Sequence, residues 1–70
     1  MEKRDLLQIW GVLQAFKDTE ERKAKEAAAR QDEAGRQLSA GHLKTAAEIA
    51  ELQRKIDCEV AKMEGGERNG

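Results

Sequence analysis

The sequence predicts an all-α fold: a two-helix antiparallel hairpin of coiled-coil character, completed into a helical bundle by oligomerisation or by docking onto a partner. Three observations carry that prediction. Proline is absent from all 70 residues. The chain is dominated by Ala, Glu, Lys, Arg, Gln and Leu, which lose little side-chain freedom in a helix. Apolar residues recur at helical spacing in two segments, and two glycines and a serine lie between them.

The first helix is expected from about residue 5 to about 36, with Asp5 as N-cap accepting from the free amides of the first turn. Leu6, Ile9, Trp10, Leu13 and Phe16 fall within a stripe of about 120° at 100° per residue. Leu7 and Val12 widen that stripe on either side, so one neighbouring helix cannot cover it. Gly11 interrupts the segment at a cost of about 1 kcal/mol relative to Ala. It reads as a tolerated glycine on the less buried side, with close approach of another backbone, or a local break that reorients the residues before it, as the alternative.

From Lys17 to Glu33 the chain becomes a charged rod. Asp18–Arg22, Glu21–Lys25 and Glu26–Arg30 stand four residues apart with the acid first, an orientation that stabilises a helix by about 0.2–0.5 kcal/mol per pair. The seam here is thin: Glu20 or Lys23, then Ala24, Ala27, Ala28, Gln31 and Ala34.

A turn is expected at about residues 35–44. Gly35 supplies the first stop signal, Gly41 a left-handed position after a helix end, and Thr45 with Glu48 a capping box; Ser39 is the alternative cap. The rival arrangement is one unbroken rod in which both glycines are tolerated. The second helix, about 43–64, carries a narrow stripe of Ile49, Leu52, Ile56, Val60 and Met63 within about 80°. Leu43, Ala46, Ala50 and Ala61 form a small-residue shoulder beside it. Gly65-Gly66 then end the helix, leaving 65–70 as a disordered tail and 1–64 as one domain.

Composition limits what such a chain does. At this size the core is marginal without disulfides, metal or oligomerisation. One cysteine, Cys58, rules out an intrachain disulfide, and one histidine, His42, leaves no Cys/His cluster for zinc. His42 reads as a polar turn residue. Cys58 falls opposite the apolar stripe between Asp57 and Glu59, which oppose thiolate formation. Charged residues make up 39% of the chain but sum to −1, so there is no bulk attraction to nucleic acid or anionic lipid. No run approaches the roughly 18 apolar residues of a membrane span. The N-terminal segment reads as mature sequence rather than a signal peptide, and the single cysteine suits a cytoplasmic setting.

No catalytic constellation, phosphate loop or metal-ligand spacing is present, so no enzyme, cofactor or small-molecule substrate is expected. The expected function is that of a non-catalytic protein–protein interaction module, an oligomeric adaptor, regulator or assembly factor of the kind found among bacterial and phage accessory proteins. Its partner or oligomer interface would comprise Leu6, Ile9, Trp10, Leu13, Phe16, Ile49, Leu52, Ile56, Val60 and Met63. Two alternatives stand beside it. One is a regulator that docks a helix through Trp10 into a larger partner. The other is a dimeric hairpin that grips RNA or DNA through Arg22, Lys23, Lys25 and Arg30, a patch weakened by the interleaved Glu20, Glu21 and Glu26.

Overall fold

The computed structural model describes the backbone of residues 2–69 and the side chains of residues 2–64. It is an all-α helical hairpin: α1 spans Lys3–Ala28 and α2 spans Glu33–Asn69, packed antiparallel in a rod of 57 × 15 × 14 Å. At a rise of about 1.5 Å per residue, α2 alone runs nearly the whole long axis.

The less exposed positions show how the helices meet. In α1 they follow Leu6, Trp10, Leu13, Lys17, Glu20, Ala24 and Ala27, and in α2 Gly35, Ser39, His42, Ala46, Ile49, Gln53, Ile56, Val60 and Met63. Both series alternate steps of four and three, the heptad repeat of an a/d coiled-coil seam. Three cross-helix contacts fix the antiparallel register: Trp10 with Gln53, Glu20 with His42, and Ala27 with Gly35. Projected along the rod, that register sets Leu6 level with Ile56 and Leu13 level with Ile49. At the open end Lys3 Nζ lies 2.6 Å from Glu64 Oε1.

The turn lies at Ala29–Asp32, which corrects the expected position of about 35–44. The end of α1 tightens: the Arg30 amide donates to the Ala27 carbonyl at 3.2 Å and the Gln31 amide to the Ala28 carbonyl at 3.2 Å. Gln31 then takes the left-handed conformation, φ 59°, that stops the helix. Asp32 caps α2, its Oδ1 accepting from the Gly35 amide at 2.6 Å, while its carbonyl accepts the Arg36 amide at 3.0 Å. Arg30 reaches across the turn to Asp32 Oδ2 at 3.4 Å.

Every residue from Gly35 to Thr45 is therefore helical, and the glycines and threonine of that segment play different parts from those expected. A Cβ on Gly35 would lie 2.5 Å from the Ala27 carbonyl oxygen and 2.8 Å from Asp32 Oδ1. Its glycine answers to space between the helices, not to a positive φ. Gly41 has open space around it and no left-handed φ. The Thr45 hydroxyl donates back to the Gly41 carbonyl at 3.1 Å, a bond made inside a helix rather than at its cap.

At the other end, α1 begins at Lys3 after Glu2, which makes no side-chain capping bond, so Asp5 lies in the first turn instead of at the cap. There it still favours the positive end of the helix dipole. Helix α2 continues through Gly65 and Gly66 to Asn69, past the expected stop. The expected disorder of 65–70 otherwise falls on residues whose side chains lie outside those described.

Candidate interaction surface

Three layers of the seam are polar. Glu20 is buried, and its Oε2 sits 2.5 Å from His42 Nδ1; His42 lies within the third turn of α2 rather than in the turn between the helices. Gln53 is also buried, its Nε2 donating to the Trp10 carbonyl at 3.3 Å and to Gln14 Oε1 at 3.0 Å. Lys17 takes the seam position between these layers, and its Nζ reaches Glu21 Oε1 at 3.4 Å. Buried polar pairs of this kind discriminate between registers, because a slip of one turn leaves each donor and acceptor unpaired in a partly dry interface.

The apolar content of the seam is small. Among the described residues the buried apolar side chains are Ala24, Ala27, Ala46 and Ile49, and no large side chain is fully buried. Trp10 is half-buried; its Nε1 is shielded from solvent yet has no hydrogen-bond partner among the described residues.

The ten apolar residues expected to form an interface divide into two sets. Leu6, Trp10, Leu13, Ile49, Ile56, Val60 and Met63 lie on the seam between α1 and α2. Ile9, Phe16 and Leu52 lie off it and are exposed. Ile9 and Phe16 are one heptad apart on the same flank of α1, and Val12 lies about 60° from Ile9 on that flank. Leu52 occupies the equivalent flank of α2, level with Ile9 in the antiparallel register. Val12 is 65% exposed, Phe16 55% and Leu52 48%.

Between the helices on this side runs an apolar groove lined by Ile9, Leu13, Leu52 and Ile56, with Lys55 and Glu59 on its rim. The opposite flank is poorer. Leu43 is exposed there above Ala24, Ala28 and Ser39, in a hollow rimmed by Glu21 and Lys25. A single apolar stripe would group Leu52 with Ile49 and Ile56; Gln53 is in fact the seam residue, and Leu52 sits beside it. The only sequence signal for this is the four–three alternation continuing through Gln53, which its polarity disguises.

The basic cluster is dispersed. Arg22 and Lys25 share a cleft with Asp18 and Glu21, Lys23 Nζ is 3.9 Å from Glu20 Oε1, and Arg30 is held at the turn by Asp32. Among the described residues, Lys17 pairs with Glu21 and Lys23 with Glu20, and the three expected acid-first pairs are not formed. Asp18 instead accepts from Gln14 Nε2 at 3.0 Å.

Cys58 is an exposed free thiol. Among the described residues, no group of three or more His, Cys, Asp or Glu side chains could hold a metal ion, and no helix is long and apolar enough to cross a membrane. The chain matches no family model, no curated protein and no solved structure.

Proposed function

We propose that this chain is a non-catalytic helical interaction module, an adaptor, regulator or assembly factor that works by presenting a preformed helix-pair surface to another protein. The observation that supports this reading most directly is the flank of Ile9, Val12, Phe16 and Leu52, large apolar side chains left in solvent beside an apolar groove. A contiguous apolar surface on a small protein is characteristic of binding sites. The seam already engages Trp10, so the aromatic side chain exposed for a partner is Phe16. A cytoplasmic setting accords with the free thiol of Cys58.

A photo-crosslinking amino acid at Phe16, in cells producing the chain, tests the reading. Discrete crosslinked protein species are expected, absent when the same group replaces Lys44 on the outer face of α2. If Phe16 gives no more crosslinked protein than Lys44, the surface is not an interaction site and the reading fails.

A further inference from the structure

We infer that this hairpin exchanges α2 with a second copy: the turn at Ala29–Asp32 straightens, each chain becomes one continuous helix, and two copies pair antiparallel across Gln31. The inference goes beyond the Phe16 surface and draws on the turn and the seam alone.

The turn is at odds with its own sequence. Gln31 is the one non-glycine residue with a positive φ among the described residues, at 59°. Its Cβ crowds the backbone there, a strain that glycine avoids. Ala27, Ala28, Ala29, Arg30 and Gln31 are all strong helix formers, and neither glycine nor proline occurs between Gly11 and Gly35. Local preference therefore favours a helix where the fold bends the chain, a conflict between the two levels. Little holds the bend. Residues 29–32 are all exposed. Among the described residues, the side-chain bonds within the bend are those of Asp32, which accepts from the Gly35 amide at 2.6 Å and from Arg30 Nη2 at 3.4 Å.

Straightening keeps the seam's partners. The three register-fixing contacts are arranged symmetrically about Gln31. Ala27 and Gly35 stand four residues to either side of it, Glu20 and His42 eleven, and Trp10 and Gln53 twenty-one and twenty-two. Two straight copies crossing at Gln31 re-form these contacts, with the facing helix now supplied by the other chain. The seam also continues through the bend, because Gln31 follows Ala27 by four residues and precedes Gly35 by four. That is one residue more than a heptad, which a coiled coil absorbs by local unwinding. Strained short hinges are the places at which identical elements exchange between protomers. Two exchanged copies gain helical hydrogen bonds across both hinges and give up the Asp32 cap and the freedom of separate chains, so concentration sets the balance.

Energy transfer tests the exchange. Trace amounts of a Cys58→Ser chain with donor and acceptor dyes at Lys3→Cys and Glu64→Cys are co-refolded with increasing amounts of unlabelled chain. The two positions adjoin in the hairpin, where Lys3 and Glu64 form an ion pair. In a continuous helix they lie about 90 Å apart within one chain, so transfer is lost. Light scattering on the same samples is expected to show a species of twice 7.8 kDa appearing as transfer falls. Variants of the turn are expected to move this balance in opposite directions without touching the seam. Gln31→Gly relieves the bend and weakens the continuous helix, lowering the dimer association constant at least about tenfold. Asp32→Ala removes the cap that holds the bend and raises that constant about tenfold. A wild-type chain that stays monomeric at the highest concentration overturns the exchange. So does a dimer in which transfer persists, since it is built of closed hairpins. Equal association constants for Gln31→Gly and the wild type remove the turn as the cause, and the inference with it. Should either variant unfold, the wild-type measurement decides alone.

Discussion

Between the turn and the Glu20–His42 pair, the two helices meet through Ala24, Ala27, Gly35 and Ser39; beyond that pair, toward the open end, they meet through Leu6, Trp10, Leu13, Ile49, Ile56 and Val60. The same heptad spacing thus runs through two chemically different halves. Small residues let the backbones approach until a glycine Cα is all that fits against the Ala27 carbonyl. They give shape and register but little apolar area, since burial contributes roughly in proportion to area. The open half supplies the area and leaves a surplus on its flank. Apolar area is therefore concentrated in the open half, whereas register is fixed on both sides of the polar pair, by Gly35 against Ala27 toward the turn and by Gln53 against Trp10 toward the open end.

Substitutions can break this division, and the largest effect is expected in the open half. Ile49→Ala removes the one large apolar side chain that is well buried among the described residues, and a loss of about 2–4 kcal/mol is expected in urea denaturation. Next comes Gly35→Ala, which forces a methyl against a backbone carbonyl that cannot turn aside; about 1–3 kcal/mol should be lost. If Gly35→Ala proves the more damaging, area in the open half is not what holds the hairpin.

The boundary itself comes third. His42→Ala leaves the Glu20 carboxylate buried opposite a void, and about 1–2 kcal/mol is expected by thermal denaturation at neutral pH. A double-mutant cycle with Glu20→Gln isolates the pair from the packing lost with the ring. The smallest effect has the opposite sign. Gly11 and Gly41 have nothing within 4 Å of an added Cβ, so each Gly→Ala change is expected to stabilise by about 0.5–1 kcal/mol. Both failing to stabilise would mean that the glycines face a neighbour outside the single hairpin.

The all-α class and the hairpin are legible in the residues, because helix propensity and apolar period agree along the whole chain. Legible too is the weak middle seam of Ala24 and Ala27. The turn is not, and the reason is physical. Glycine answers to two demands, a positive φ and a lack of room, and a sequence does not say which. Punctuation alone assigns Gly35 and Gly41 to the first demand. In fact Gln31 holds the positive φ and Gly35 meets the second demand. Asp32 followed by Glu33 is the true start signal, an N-cap with an acid in the first turn, hidden by a charged rod in which such residues are everywhere. On the apolar faces, Gln53 is disguised because a polar residue at a seam position looks like surface, whereas Glu20 already stands in the expected seam as the alternative to Lys23. Periodicity without Gln53 shifts Leu52 inward, whereas the fold leaves it at the rim of the groove.

The placement of Trp10 has a practical consequence. It is the sole tryptophan in a chain without tyrosine, so near-ultraviolet fluorescence excited at the indole comes from one point in the open half. Its shielded Nε1, lacking an acceptor among the described residues, makes the emission wavelength sensitive to the first water that enters. Circular dichroism, by contrast, averages over the whole rod. Fraying from the open end would shift the tryptophan emission before ellipticity falls, whereas all-or-none unfolding would make the two curves coincide. The molecule thus carries its own gauge of whether its two halves melt together.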